Sequence, residues 1–178
     1  NVGINPDFFE LIISNLDCKL VISDDTKRPY QTNHQNKIGQ EEISSSVSRF
    51  AYYYKDELKD ELFISPNQIN ILKQLTYFDD LQDLNFNIAF YEVSVEMNDD
   101  LMYLFISNDG SVLFSIAPAY LTDSSGSFIA RVIPVIEKTV QGYYSLTFIY
   151  DNIWLKSHDV KYPLSFDFSI LLNQNNEK

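Results

Sequence analysis

The chain has 178 residues, with 13 basic and 25 acidic side chains and a formal net charge of −12. That balance argues against nucleic-acid binding, which needs a basic face, and equally against docking on an anionic membrane; it suits a basic partner. Hydrophobic residues make up 45% and aromatics 15%, enough for a core that needs no disulfide or metal, and no apolar run reaches the roughly 18 residues of a membrane-spanning helix.

One domain spanning residues 1–178 is the expectation. The single Cys18 excludes an internal disulfide and a cysteine zinc cluster. The chain starts at Asn1, with neither Met nor a signal peptide. This leaves a processed chain or a truncated one, and processing would place the domain outside the cytoplasm. The charge is uneven, because residues 56–100 hold 11 acids against Lys59 and Lys73. Such a run reads as solvated surface or as an acidic docking face.

In chain order, Asn5 as a cap, Pro6 at the first helical position and Asp7 predict a helix carrying Phe8, Leu11, Ile12 and Leu16. Cys18–Ile22 reads as a short strand, and residues 24–40 as a long polar loop. Ile43, Val47, Phe50, Tyr54, Leu58 and Leu62 recur at three- or four-residue steps. They predict a second helix over 41–62, with Asp56, Glu57, Asp60 and Glu61 facing water. Ser65, Pro66 and Gln68 form a helix-start signal. Ile69, Leu72, Leu75 and Phe78 would be that helix's buried face, and Asp79-Asp80 its end.

After residue 86 the pattern turns strand-like. Ala89, Tyr91, Val93, Val95 and Met97 alternate with polar residues. Asn108-Asp109-Gly110 predicts a hairpin turn between 101–107 and 111–117. A second hairpin is expected around Val140-Gln141-Gly142, with Pro134 marking an edge or a bulge. Leu164, Phe166, Phe168, Ile170 and Leu172 give the clearest strand, and 173–178 a frayed tail.

This order predicts an α+β fold, with N-terminal helices (about 1–83) packed on a curved antiparallel meander of five to six strands (about 86–172). The alternative is a β-sandwich with a helical insertion. No motif carries residues over from a known family. The order of elements alone is similar to the cone-shaped nuclear-transport-factor-like fold, which includes bacterial secretion-system domains. Fifteen Asn point to an AT-rich genome, that of a low-GC bacterium or a virus.

No catalytic constellation stands out. The five glycines are too scattered for a phosphate cradle. His34 and His158 are 124 positions apart, without a paired-histidine helix motif, and Cys18 reads as a buried thiol. Asp24-Asp25, Asp79-Asp80 with Asp83, and Asn98-Asp99-Asp100 lack the ligand spacing of a calcium loop. No metal or cofactor is assigned. Tyr52-Tyr53-Tyr54 cannot all face the core of one helix, since neighbours point about 100° apart, and Trp154 sits near the last hairpin.

The leading expectation is therefore a non-enzymatic protein-interaction domain with an acidic, aromatic surface. Tyr52, Tyr53, Asp56, Glu57, Asp60, Glu61, Asp79, Asp80, Asp83 and Trp154 are its contact residues. A sharper version is an inhibitor or immunity-like protein that covers a basic partner. The alternatives are a small-ligand binder or hydrolase with a pocket between helices and sheet, using His34, His158, Glu92 and Asp167, and a structural subunit of a bacterial envelope or secretion assembly.

Overall fold

Side chains alternate between inward and outward along most of the chain, and this two-residue period produces a protein made almost entirely of strands. In the computed structural model, which describes residues 2–5, 9–24, 37–44, 46–54, 57–140 and 142–173, fifteen strands follow one another. They are Val2–Ile4 (β1), Glu10–Asn15 (β2), Cys18–Asp24 (β3), Lys37–Ser44 (β4), Val47–Tyr54 (β5), Glu57–Ile64 (β6), Gln68–Leu75 (β7), Phe86–Tyr91 (β8), Ser94–Met97 (β9), Tyr103–Ile106 (β10), Val112–Ile116 (β11), Ala119–Thr122 (β12), Ile129–Lys138 (β13), Tyr144–Ile149 (β14) and Leu164–Leu172 (β15). Helical structure among the described residues is limited to a 3-10 stretch at Phe78–Asp83 and one α-turn at Asn152–Leu155 (α1).

Every strand pair is antiparallel, and the strands form two layers of a β-sandwich-like fold. One layer runs β1-β2-β3-β8-β14-β13. The other runs β13-β12-β15-β7-β6-β5-β4. β13 belongs to both: Ile129–Val132 pair with β12 and Ile133–Lys138 with β14. Pro134 lies two residues past the last pairing with β12, where β13 has a partner on one side only, so its missing N–H interrupts no second ladder. β11 and β12 pair with opposite ends of β15 and are separated by Ala117-Pro118. β10 and β9 extend the sheet beyond β11.

Rings from the two layers meet in the core. Phe86 of β8 lies 5.5 Å from Phe168 of β15, and Phe148 of β14 lies 4.9 Å from Phe166. Phe90 meets Phe105 at 5.7 Å. Burying one such ring contributes about 1.5–3 kcal/mol. The ladder ends are protected: β1 has three residues, and β4 carries exposed Glu41 and Glu42.

Several expectations are overturned. The protein is neither α+β with helices on a meander nor a sandwich with a helical insertion, and the likeness in element order to the nuclear-transport-factor-like fold falls with them. The predicted helix over 41–62 is the β4-β5-β6 meander. The predicted helix from Ser65 is β7, and Pro66-Asn67 is the turn into it, closed by the Ser65 amide donating to Gln68 O at 3.0 Å. The first predicted helix is in part β2; its Pro6, Asp7 and Phe8 lie outside the described residues, as do 25–36 of the expected loop. The strand read over 89–97 is two strands, and the inward positions are Phe86 and Ile88 rather than Tyr91 and Met97. The strand expected at Cys18–Ile22 runs on to Asp24, and the strand at Leu164–Leu172 and the turn at Gly110 (φ +88°) are where the sequence places them. No helix among the described residues is long and apolar enough to cross a membrane.

Candidate functional site

An open groove of about 1080 Å³ lies at one end of the sandwich. Three chain reversals build it. The β2–β3 hairpin closes through Leu16-Asp17, and such a short turn needs left-handed backbone, normally supplied by Gly or Asn. Here Leu16 takes φ +57°, and its side chain is 97% exposed. The break between β8 and β9 brings in Glu92, also left-handed at φ +61°. The β10–β11 turn contributes Ser107, Asn108, Asp109 and Ser111. For residues with a Cβ, left-handed backbone costs about 1–2 kcal/mol each. Val2, Ile13, Leu113, Phe114 and Leu172 supply the apolar lining.

The groove is electronegative. Asp17, Glu92 and Asp109 line it, and no Lys, Arg or His does among the described residues. Asp109 accepts hydrogen bonds from the Ser107 hydroxyl at 2.5 Å and from the Ser111 amide at 3.0 Å. The hydroxyl of Ser107, then that of Ser111 and the Ser111 amide, lower its carboxyl to about 2, so it stays ionised. Cys18 Sγ donates to the Glu92 carbonyl at 3.4 Å. Burial pushes its thiol up, and the charges of Asp17, Glu92 and Asp109 push it further. A thiol held protonated is a poor nucleophile.

The contact residues expected from sequence do not form one surface. Tyr52 and Asp60 are core residues, 3% and 2% exposed. Burial, followed by the charges of Asp60 and Glu10, raises the Tyr52 phenol, and its hydroxyl donates to Asn5 O at 3.1 Å. Tyr53 is half-buried. Glu61 is held by Arg49, with Nε and Nη2 each 2.7 Å from Oε2. Glu57 is exposed and meets Lys59 at 3.3 Å. Asp79 is exposed, whereas Asp80 accepts the Thr76 and Tyr77 amides, each at 2.9 Å, as a cap for the 3-10 stretch. Asp83 belongs to that stretch, and Asp56 lies outside the described residues. Trp154, on α1, packs edge-on against Phe128 at 6.1 Å.

Among the described residues, the hydrolase groups are not assembled either. His34 lies outside the described residues, and His158 is exposed and does not line the groove. Asp167 sits on the outer face of β15, where Asn70 Nδ2 donates to it at 3.3 Å. Of the three candidates among the described residues, only Glu92 lines the groove. No group of three or more His, Cys, Asp or Glu is placed to hold a metal among the described residues. Asn98 Oδ1 instead accepts the amides of Asp100 and Met102, as a turn cap does.

Leu16, Asp17 and Asp109 were missed as site residues. Leu16 carries no turn signal, because Leu is not a left-handed residue by preference, and Asp109 reads simply as part of a hairpin turn. No protein-family profile, no curated protein and no solved structure matches the chain.

Proposed function

We propose that the chain is a non-enzymatic protein-binding domain whose end groove receives a basic, partly apolar segment of another protein. The observation that carries this reading is the set of three carboxylates, Asp17, Glu92 and Asp109, around an opening with no basic lining side chain among the described residues. Leu16 stands fully exposed beside them, an apolar anchor point at the rim. Field from the carboxylates steers a cationic segment in, and the apolar lining holds its aliphatic stems.

A fluorescent peptide of alternating Lys and Leu tests this by anisotropy. Binding is expected to weaken at least about tenfold between low salt and roughly 0.5 M salt, and to weaken again in Asp17→Asn with Glu92→Gln. Binding indifferent to both salt and these substitutions would overturn the reading.

A further inference from the structure

Asp60 on β6 and Lys73 on β7 face each other across their ladder and project into the core. They are 2% and 5% exposed, and Lys73 Nζ lies 2.7 Å from Asp60 Oδ1. Along the same cross-strand row, Tyr52 flanks Asp60 and Phe166 flanks Lys73. The rings of Phe9 and Phe86 close over Nζ from the opposite layer, with centroids at 5.5 and 5.4 Å.

An ammonium has three N–H donors, and a carboxylate offers about four acceptor sites. Among the described residues, the one hydrogen bond that either side-chain group makes is the bond between them. Buried ion pairs are sustained by further hydrogen bonds to the remaining donors and acceptors; here aromatic carbon fills that space. The ladder holds an amine and a carboxyl group in contact where water is excluded. For groups so placed, the effective concentration reaches about 10⁵ M or more.

We propose that Lys73 and Asp60 condense to an intramolecular isopeptide bond that locks β6 to β7. A proton passes from Nζ to Oδ1 along the 2.7 Å hydrogen bond, giving a free amine and a carboxylic acid. The Nζ lone pair attacks Cγ, and a new N–C bond forms. One Cγ–O bond breaks, and that oxygen leaves as water with a second proton from Nζ. The ammonium and the carboxylate become one neutral amide and one water, with no oxidant, nucleotide or metal consumed. The neutral product removes two charges from the apolar core.

The test is the intact mass of the folded chain, followed by digestion with a glutamyl endopeptidase. The expected result is a mass one water below that of the sequence, with Leu58–Glu61 and Leu62–Glu92 recovered as one branched species. Asp60→Ala should restore the full mass and separate the two peptides. An unmodified mass would overturn the proposal. So would a lost water with the two peptides found apart, which would assign the dehydration to another site such as Asp109-Gly110. The readout is independent of peptide binding at the groove.

Discussion

In the middle of the sandwich, Asp60 is matched by Lys73 at 2.7 Å and shut away from water. At its end, Asp17, Glu92 and Asp109 surround an open groove with no basic side chain among the described lining residues. Both regions place negative charge against apolar side chains, yet only the first supplies its own cation. In the core a lone charge would be too costly, so the fold must carry the partner. At the groove water bears the cost until a ligand replaces it. The difference separates charge that serves the architecture from charge that is available to something outside.

The largest effect comes from breaking the central pair. Lys73→Met leaves a carboxyl group unmatched in the core and prevents the isopeptide bond, and it should cost about 3–5 kcal/mol in urea unfolding; Asp60→Leu with Lys73→Met should recover the part due to the unmatched carboxyl but not the part due to the lost lock. If the double variant proved fully as stable as the unaltered chain, the pair would act through charge alone and no lock would join β6 to β7. Next in size is Tyr52→Phe, which removes the hydrogen bond to Asn5 O and should cost about 1 kcal/mol. The Tyr52 phenol is raised in the fold, so its stabilising neutral form is fully effective below the ordinary tyrosine pKa of about 10 and is lost as pH climbs above it. Tyr52→Phe should flatten that alkaline loss.

Carboxylates held by turns give a smaller effect on the acid side. Asp109 is lowered to about 2. Its contribution is complete above about pH 4, the unfolded value, and is lost as pH falls through about 2. Asp123 accepts the amides of Ser125, Phe128 and Lys161 and the Ser125 hydroxyl. Burial opposes its charge, but the Lys161 amide, the Ser125 hydroxyl and the remaining turn amides outweigh that and lower the carboxyl. Asp109→Asn and Asp123→Asn should each reduce the loss of stability as pH falls below about 4, the unfolded value, as read from urea midpoints. The smallest change is a gain. Leu16→Asn relieves left-handed strain and should add about 0.5–1 kcal/mol while weakening peptide binding. A variant that gained stability and bound as before would remove Leu16 from the site.

The central pair also explains which strands were legible. In β15 the inward positions Leu164, Phe166, Phe168 and Ile170 are all apolar, so the two-residue period is visible. In β7 the inward set is Ile69, Ile71, Lys73 and Leu75, and in β6 it includes Asp60 and Leu62. One charged residue in each set breaks the alternation, and the apolar residues left over fall by chance at helical steps. The two side chains that complement each other inside the sandwich thus disguise both strands that carry them. Ser65-Pro66-Asn67 reinforces the error, because the same residues begin helices and make tight turns. The groove was less legible still. Its residues come from the β2–β3, β8–β9 and β10–β11 reversals, and nothing in the local sequence says that these meet.

The most direct test of the groove is amide chemical-shift mapping of the isotopically labelled chain during titration with the Lys-Leu peptide. Shifts concentrated at residues 14–18, 92, 107–111 and 172–173, and suppressed by salt, are the predicted result. Shifts confined to the acidic 57–61 and 79–83 segments would contradict the account and return the binding surface to the acidic run, and so would no shifts at all.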